Sequence, residues 1–372
     1  MNTAYDVIIV GAGVSGSYLG GLLAKKGLRV LILDRDKKTK KDSGIVSSRI
    51  DSMVKLRKGD VLSRIRKIRF VSPSGKSFFL RSEKPFAYLL DRDAFEKGLR
   101  KSATKAGARI RYRECTYFRI YNNHVEAEAG ETYTAKMIIG CDGAGSMVRR
   151  SLGIAGPRIF SACLNQGKFR GRADEIEVHL NKFFSPHFFA WSIPRTCETG
   201  TITRKSTEEY MNYYNERVGF AARKAHYHPI PIGFTKSYHD RALLVGDSCG
   251  QVKPVSGGGI IYSMICANHA ANTIGMAFDN QRFDARFLGS YEKAWRKELG
   301  REQMLQLAAR RIYRRMNNQD IENFFDSFGE RIEAVGDFDY DRLSSLAAKM
   351  PRLKMLKYLL AYIPLMFEWS HD

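Results

Sequence analysis

The sequence predicts an α/β fold with three parts: a mostly parallel sheet covered by helices, an antiparallel sheet, and a helical C-terminal region. Three glycine-bearing segments, which begin at Tyr5, Met137 and Leu243, predict the first part. Alternating polar and apolar stretches between these segments predict the second part. A chain of 372 residues has room for the two or three domains that this division requires.

The first segment, residues 5–16, is a run of buried-strand residues followed directly by the pattern G-x-G-x-x-G. In that pattern Gly11 allows a tight turn, and Gly13 lets a pyrophosphate approach the backbone. Gly16 lets the following helix pack closely on the strand. A Rossmann-type dinucleotide-binding unit is therefore predicted here, and a glycine-rich loop of an unrelated α/β protein is the alternative.

The helix after these glycines is predicted over residues 14–26, with Ser15 in its first turn. Its N-terminal amides and the positive end of its dipole favour phosphate. A second strand over residues 29–33 leads to Asp34, at the position where an acid accepts hydrogen bonds from a ribose diol. Asp36 lies past the strand end and is expected to be solvated.

Two later segments distinguish between dinucleotides. The segment MIIGCDGAGS contains Asp142 and Gly143, and the segment LLVGDSCG contains Asp247. An apolar strand would deliver the Asp247 carboxylate to a polyol, and a helix that starts near Gly258 would aim its amides at the N1–C2=O edge of a flavin. Both segments resemble motifs of the para-hydroxybenzoate hydroxylase-like flavoproteins, in which the second acid binds the ribityl chain. The resemblance implies FAD.

Four stretches match the motifs of one flavoprotein family. Residues 246–262, GDSCGQVKPVSGGGIIY, are similar to G-D-A-A-G-x-x-x-P-x-x-G-G-G-I-x-Y, and residues 189–194, FAWSIP, are similar to Y-x-W-x-F-P. Residues 43–47 resemble the loop C-x-G-x-x-S, and residues 291–300 resemble the start of the C-terminal helices. The chain thus resembles the geranylgeranyl reductase family, which includes the archaeal digeranylgeranylglycerophospholipid reductases. This implies FAD-dependent reduction of isoprenoid carbon–carbon double bonds in membrane lipid biosynthesis.

The glycine pattern and the resemblance together define the candidate site residues. The cofactor-binding candidates are Gly11, Gly13, Ser15, Gly16, Asp34, Gly44, Arg92, Asp142, Gly143, Asp247, Pro254, Gly258, Gly259 and Ile260. The substrate-site candidates are Phe189, Trp191, Pro194 and Asp42. In the superfamily an arginine at the position of Arg92 contacts FAD, and a solvated arginine at a helix start capped by Asp91 is the alternative. The histidines form no metal-ligating set.

Three positions depart from the family motifs. The loop cysteine of the family is Asp42 here, its motif tyrosine is Phe189 and its motif phenylalanine is Ile193. If the cysteine or the tyrosine hydroxyl assists protonation in the relatives, this chain uses another group. The sequence therefore leaves the proton donor unassigned.

The predicted domains are interleaved along the chain. The FAD-binding domain comprises residues 1–66, 92–156 and 240–285, the substrate domain comprises residues 67–91 and 157–239, and the helical region comprises residues 286–372. The strands predicted for the substrate domain are residues 68–71, 77–80, 87–90, 177–180, 188–193 and 201–203. Aromatic side chains expected to wall an apolar tunnel over the flavin, or alternatively to form ordinary sheet core, are Phe183, Phe184, Phe188, Phe189 and Trp191.

The charge indicates the kind of partner. A net charge of +22, from 61 Lys+Arg and 39 Asp+Glu, favours an anionic partner. The sequence has no zinc-finger spacing and no RNA-binding aromatic motif, so an anionic membrane surface is expected rather than nucleic acid. Residues 351–364 are amphipathic and basic, and they are interpreted either as an interfacial anchor or as a helix packed on the protein. The basic run 35–41 is expected to be a solvated loop.

The expected location is the cytoplasm, peripheral on the inner face of the cell membrane. The longest apolar run, residues 358–367, is about half of the roughly 20 residues that a membrane span needs. The first strand begins within a few residues of Met1, so no signal peptide is expected. Six scattered cysteines suit a reducing compartment.

The electron donor and the reaction class keep alternatives. Because no second dinucleotide fingerprint is present, NAD(P)H, ferredoxin and reduced deazaflavin all remain candidate donors. A flavin-dependent monooxygenase or halogenase is the second hypothesis, since FAWSIP also resembles the halogenase motif W-x-W-x-I-P, although the halogenase start G-G-x-x-G-W is absent. A membrane-peripheral flavin-binding protein without alkene reductase activity is the third hypothesis.

Overall fold

The computed structural model describes residues 5–40, 42–170 and 175–350. Its strands are β1 (Tyr5–Val10), β2 (Val30–Asp34), β3 (Ile45–Ser47), β4 (Val61–Ile65), β5 (Lys67–Val71), β6 (Ser77–Arg81), β7 (Ala87–Leu90), β8 (Arg109–Tyr112), β9 (Tyr117–Ile120), β10 (Val125–Glu128), β11 (Thr132–Gly140), β12 (Arg158–Phe169), β13 (Glu177–His179), β14 (Ala190–Ile193), β15 (Glu198–Thr203), β16 (Phe220–Ile232), β17 (Tyr238–His239) and β18 (Ala242–Leu244). Its α-helices are α1 (Val14–Lys25), α2 (Arg92–Lys105), α3 (Met147–Ser151), α4 (Thr207–Arg217), α5 (Ile260–Asp279), α6 (Ala285–Arg315), α7 (Asn318–Glu333) and α8 (Leu343–Ala347).

The first sheet is the parallel sheet that the glycine segments predict. Its strands follow the order β17-β18-β11-β1-β2-β8, with β10 paired to β11 and β9 paired to β10. β1 is central and runs parallel to both β2 and β11. Helices α1, α2 and α5 pack together on one face of this sheet, and residues of β9, β10 and α3 pack on the other. β1 is therefore buried on both faces, and its sequence is almost continuously apolar. The three glycine segments therefore meet at the carboxyl ends of adjacent strands.

The second sheet is mixed rather than antiparallel as predicted. Its order is β16-β12-β15-β14-β13-β5-β6, and the pair β13–β5 is parallel. Between these two strands the chain contributes β8 to β11 to the first sheet and β12 to the second. The remaining neighbours in this sheet pair antiparallel, as the alternating pattern indicates.

The stretch 87–90 is a strand as predicted, but it lies in a third sheet of order β3-β7-β4. All four residues of β7 are buried, because its two faces contact different cores. Tyr88 and Leu90 pack into the core of the first sheet, whereas Ala87 and Leu89 pack against residues of the second sheet. Strand β7 therefore joins the two halves of the protein.

The C-terminal helices connect both large sheets. Helix α6 buries Tyr291, Trp295 and Leu299 in the core of the first sheet, and Ile312 lies in a separate cluster with β6 and α7. None of the described helices is long and apolar enough to span a membrane. The predicted amphipathic segment 351–364 lies outside the described residues.

Candidate functional site

The glycine loop after β1 combines close packing with open space. Gly11 has a positive φ of 103°, and a Cβ there would lie 2.3 Å from the carbonyl oxygen of Cys141. A Cβ on Gly16 would lie 1.9 Å from the carbonyl oxygen of Gly11. A Cβ on Gly13 would meet nothing within 4 Å. Gly11 and Gly16 are thus in close contact with backbone atoms, whereas the space beside Gly13 is open. Gly13 lies at the N-terminus of α1, where a pyrophosphate would bind.

Asp34 and an arginine that the sequence analysis missed hold this loop. The N–H of Ala12 donates to Asp34 Oδ2 at 2.6 Å, so one carboxylate oxygen already supports the backbone. Arg100 Nε donates to the carbonyl oxygen of Ala12 at 2.8 Å, and Arg100 Nη1 donates to that of Lys37 at 2.7 Å. The buried guanidinium of Arg100 therefore fixes the ends of β1 and β2 relative to each other. No motif surrounds Arg100, so its role could not be predicted from the sequence.

Asp142 acts on a helix start. Ser146 Oγ donates to Asp142 Oδ1 at 2.6 Å, and the N–H of Val148 donates to Asp142 Oδ2 at 3.0 Å. Burial raises the pKa of the Asp142 carboxyl. Both oxygens are engaged by the start of α3, whereas a Cβ on the neighbouring Gly143 would meet nothing within 4 Å. In the described protein, the space for a ligand at this motif adjoins the glycine rather than the acid.

Asp247 lies in a charged cluster with a residue of the basic run 35–41. Lys40 Nζ lies 3.2 Å from Asp247 Oδ2, and this attraction raises the pKa of the Lys40 ammonium. The expectation of a solvated loop is therefore wrong for Lys40. Asp247 also adjoins the glycine-rich turn before α5, since a Cβ on Gly259 would lie 2.9 Å from Asp247 Oδ1.

Asp42 and Arg92 form the other half of this cluster. Arg92 Nε lies 2.8 Å from Asp42 Oδ1, and Arg92 Nη2 donates to Glu96 Oε1 at 2.5 Å. Arg92 is buried, so a solvated helix-start arginine is excluded. The N–H of Gly44 donates to Asp42 Oδ1 at 3.0 Å, and Gly44 has a positive φ of 68°. Asp42, at the family's cysteine position, thus anchors the loop to α2 by an ion pair.

The substrate-site candidates lie on the second sheet. Trp191 on β14 is opposite Gly200 on β15, and the rings of Phe189 and Trp191 are 6.0 Å apart with an interplanar angle of 67°. Trp191 Nε1 is buried and has no hydrogen-bond partner among the described residues. Pro194 begins a short 3₁₀ turn that ends β14. The motif therefore places its Trp and Phe together.

The predicted five-residue aromatic wall is not formed. Phe183 is 62% exposed, whereas Phe184 packs with Met211 and Tyr214 in a separate cluster. Phe188 packs against Phe160. Phe183 is therefore a surface residue and Phe184 belongs to ordinary core, whereas Phe188 lies in the apolar cluster against which Trp191 packs.

The face of the second sheet that carries Trp191 lies against the turn before α5. A Cβ on Gly257 would lie 3.1 Å from Ile202 Cδ1 and 3.1 Å from Ile230 Cγ2. Ile202 follows Gly200 by two residues on β15 and so shares the face of Trp191. The glycine-rich turn at 254–259 therefore lies between Asp247 on one side and this apolar sheet face on the other.

Comparisons with known proteins agree with this geometry. The FAD binding domain family matches residues 4–179. A digeranylgeranylglycerophospholipid reductase of Methanothermobacter thermautotrophicus is 28% identical over 86% of this chain and 90% of its own length. One of Methanothrix thermoacetophila is 26% identical over 87% of this chain and 90% of its own length. The relatives thus match both halves of the protein.

Solved structures show the same fold. A geranylgeranyl bacteriochlorophyll reductase-like protein of Thermoplasma acidophilum has a TM-score of 0.86 at 20% identity and covers 98% of this chain and 100% of its own. The protein is an FAD-dependent oxidoreductase that is similar to geranylgeranyl reductases. The predicted resemblance to geranylgeranyl reductase-like flavoproteins and the predicted fold class are thus confirmed. The halogenase PltM in complex with FAD has a TM-score of 0.69 at 15% identity, over 97% of this chain and 91% of its own, and shares the fold.

The residues of this reductase-type protein fit FAD. Gly13 and Gly143 leave open backbone at two motifs, and Asp34 ends β2 beside the first motif. Asp247 and the amides at the start of α5 adjoin the third motif. Three cations close to this region, Lys40, Arg92 and Lys253, are each paired with an acid.

Glu198 is a feature of the reductase-type site that the sequence analysis missed. It lies at the start of β15, opposite Ile193 and two residues from Gly200, so its side chain shares the face of Trp191. The residue is 3% exposed, and Glu198 Oε1 has no hydrogen-bond partner among the described residues. Burial raises the pKa of the Glu198 carboxyl to about 8, the Thr196 hydroxyl opposes this shift and the nearby Asp42 carboxylate adds to it. The side chain therefore carries a proton at neutral pH.

Proposed function

We propose that this protein reduces the geranylgeranyl carbon–carbon double bonds of a membrane phospholipid, with FAD as its cofactor. The observation that carries the proposal is the apolar sheet face of Trp191, which lies against the glycine-rich turn before α5. An isoprenoid chain needs an apolar face against which it can be aligned. The turn at residues 254–259 is the end of the third predicted flavin-binding motif. The two relatives described above are named digeranylgeranylglycerophospholipid reductases, and these names support this substrate class.

The chain's own residues bind the cofactor and arrange the substrate. The residues proposed to hold FAD are those of the three motifs and the Gly44 loop, namely Gly11, Gly13, Ser15, Gly16, Asp34, Gly44, Arg92, Asp142, Gly143, Asp247, Pro254, Gly258, Gly259 and Ile260. Bound reduced FAD supplies a hydride to one alkene carbon. Phe189 and Trp191 orient the chain, and their apolar surroundings exclude water from the reacting carbons.

The second alkene carbon needs a proton, and Glu198 holds one. With the family's loop cysteine replaced by Asp42, the described residues on the Trp191 face include one buried carboxyl with an unpartnered oxygen. The Glu198 O–H bond breaks as the π electron pair of the alkene forms the new bond between the second carbon and the proton. The hydride brings its own electron pair to the first carbon, and the O–H electron pair stays on the Glu198 carboxylate. The carboxylate that remains takes a proton from solvent before the next turnover.

This assignment of the proton can be tested without turnover. Infrared spectra of the oxidised protein near neutral pH should show the carbonyl stretch of a protonated carboxylic acid that disappears in Glu198→Gln. Glu208→Gln is the matched control, because Glu208 is exposed. If the wild-type protein and Glu198→Gln give the same band, Glu198 is ionised and another group donates the proton.

The electron donor is proposed to be external to this chain. The described residues contain one Rossmann-type glycine loop, and it lies in the predicted FAD site. NAD(P)H, ferredoxin and reduced deazaflavin are distinguished by supplying each one anaerobically to oxidised protein and following bleaching of the flavin.

The protein is further proposed to work at an anionic membrane surface. Its substrate lies in a bilayer, and the net charge of +22 attracts the protein to anionic lipid. Peripheral attachment on the cytoplasmic face would let the isoprenoid chains enter the site without crossing water.

One experiment tests the reaction class. Dithionite-reduced protein is mixed anaerobically with a geranylgeranyl phospholipid, and the product is weighed by mass spectrometry. Reduction adds two hydrogen atoms per double bond. An oxygen-dependent gain of one oxygen atom, or incorporation of a halide, would instead establish the monooxygenase or halogenase alternative.

A further inference from the structure

Arg310 occupies an unusual position for a charged side chain. It lies on α6 and is 7% exposed. Its guanidinium lies 3.9 Å from the ring centroid of Phe160 and 3.9 Å from that of Phe188. The two rings are nearly perpendicular, with centroids 5.5 Å apart, and both contact the guanidinium, so they restrict the direction of its N–H donors.

Two nitrogens of the Arg310 guanidinium are not used as donors within the described residues. Neither Nε nor Nη2 has a hydrogen-bond partner there. Burial and the neighbouring charges of Arg314 and Arg158 lower the pKa of the Arg310 guanidinium to about 9. A buried guanidinium without a counter-ion is strongly unfavourable, so this arrangement points to an anion from outside the described residues.

A second unpartnered nitrogen lies close to the same ring. The imidazole of His187 contacts Phe160 edge-on, with ring centroids 5.9 Å apart, and His187 Nδ1 is buried without a partner among the described residues. Burial and the charges of Arg314, Arg310, Lys182 and Arg204 lower the pKa of His187 to about 4. His187 and Arg310 thus share one strongly cationic environment.

Lys182 is a further cation near His187. Lys182 Nζ donates to the carbonyl oxygen of Pro186 at 3.1 Å and to that of Tyr313. Burial and Arg314 lower the pKa of Lys182 to about 7, and Asp320 is the acid that raises it. Lys182 therefore adds positive charge near His187, and its ammonium is bound by backbone carbonyl oxygens.

The cluster adjoins the proposed substrate site. Phe160 and Phe188 belong to the same apolar cluster as Ile202, and Trp191 packs against that cluster. An apolar chain that lies along this cluster would have Trp191 at one end and the guanidinium of Arg310 at the other. This order matches a molecule with an isoprenoid chain and an anionic head.

We infer that Arg310 and His187 form the binding site for the phosphate group of an isoprenoid phospholipid whose chain lies on Trp191. The forked N–H donors of an arginine match the oxygens of a phosphate, and a neutral imidazole adds a further hydrogen bond. The inference rests on the proposed reductase function for the identity of the apolar chain. It rests on the side chains alone for the anion.

A binding measurement tests the anion site without turnover. Inorganic phosphate is titrated into the full-length flavoprotein by calorimetry at low ionic strength. Arg310→Gln should weaken binding about tenfold or more, which corresponds to roughly 1.4 kcal/mol. Arg311→Gln, which removes the same charge from an exposed neighbour, should leave binding unchanged. Equal binding by wild type and Arg310→Gln would overturn the inference.

Two further variants separate a folding defect from loss of the site. Arg310→Met keeps an apolar side chain against the two rings and removes the buried charge, so the variant should fold with an unchanged or higher Tm. Phosphate should raise the Tm of the wild type but not that of Arg310→Met. His187→Gln should weaken phosphate binding without altering Tm by a comparable amount. If deletion of residues 351–372 creates phosphate binding that the full chain lacks, the tail supplies the anion and the inference fails.

A kinetic comparison identifies the source of the phosphate. Arg310→Gln should raise KM for a geranylgeranyl phospholipid and leave the reduction of geranylgeraniol, which has no phosphate, unchanged. An equal effect on both substrates would overturn the head-group assignment. Phosphate binding that depends on Arg310 in a protein that reduces neither substrate would instead refute the proposed function and leave the anion site in place.

Discussion

The indole of Trp191 lies directly over the Cα of Gly200 on the neighbouring strand. A Cβ on Gly200 would lie 2.1 Å from Trp191 Cζ2, closer than any side chain allows. Gly200 therefore supplies the space in which the indole lies flat on the sheet, and the position of the ring depends on a residue outside its own motif. The same face carries Glu198 and Ile202, so one strand places the ring, the acid and the apolar surface.

Gly200→Ala should displace the indole while leaving the FAD motifs intact. The added methyl group cannot coexist with the ring in its present place, because the ring is rigid and packed on both sides. We expect reduction of a geranylgeranyl lipid to fall much more than bound FAD, as measured by product formation and flavin absorbance. Gly59→Ala is the control, since a Cβ there meets nothing within 4 Å. Parallel losses of FAD and activity would show that Gly200 serves only folding.

Substitution of Gly13 should affect FAD binding, whereas substitution of Gly16 should affect the stability of the fold. Gly13 has φ −72° and ψ −164°, which any residue adopts, and open space for a side chain. Gly13→Val should therefore leave the Tm of the FAD-free protein unchanged and abolish FAD binding. Gly16→Val should lower the Tm of the FAD-free protein, because its side chain would collide with the backbone of Gly11. Full FAD loading of Gly13→Val would contradict the proposed pyrophosphate site.

The local parts of this site could be predicted because their signals are contiguous in sequence. The glycine spacing places Gly11, Gly13 and Gly16, and the aspartate before α2 caps that helix, with the N–H of Ala94 donating to Asp91 Oδ1 at 3.0 Å. Motif similarity likewise places Trp191 beside Phe189. Each of these features depends on neighbouring residues alone.

The remaining parts depend on which distant strands meet. Glu198 is buried because β15 lies between β12 and β14, and nothing next to it in sequence marks that position. Lys40 belongs to a basic run that is predicted to be solvated, yet it forms an ion pair with Asp247, about two hundred residues later in the chain. Tertiary contacts of this kind override the local sequence pattern. For the same reason β7 lies in the third sheet and not in the second sheet, where its sequence pattern predicts it.

Glu198 should make the stability of the protein depend on pH in a defined direction. Its folded pKa of about 8 lies above the ordinary 4.5, so the unfolded chain releases the proton first as pH rises. The contribution of Glu198 to stability is complete below pH 4.5 and is lost as pH rises to about 8. The free energy of unfolding of wild type minus that of Glu198→Gln should therefore fall across this range, as measured by denaturant unfolding.

Two comparisons make this pH prediction specific. Glu208→Gln, at an exposed position, should give a difference that does not change with pH over the same range. Asp42→Asn should end the fall at a lower pH and so reduce its total size, because the Asp42 carboxylate contributes to the raised pKa of Glu198. A constant difference between wild type and Glu198→Gln would mean that the acid titrates normally in the folded protein.

Binding to anionic vesicles should depend on both the charge and the apolar residues of the segment 351–372. This segment carries Arg352, Lys354 and Lys357 ahead of a run of apolar and aromatic residues. Each cation near an anionic surface contributes about 1 kcal/mol, and the attraction fades beyond a Debye length of about 10 Å at 0.1 M salt. Deletion of the segment should therefore weaken sedimentation with anionic vesicles, and the triple change of these cations to Gln should remove chiefly the salt-dependent part. Neutral vesicles are the matched control for both proteins. Equal binding to neutral and anionic lipid at low salt would show that the basic surface serves a purpose other than membrane attachment, because attraction by charge cannot be independent of the charge of the lipid.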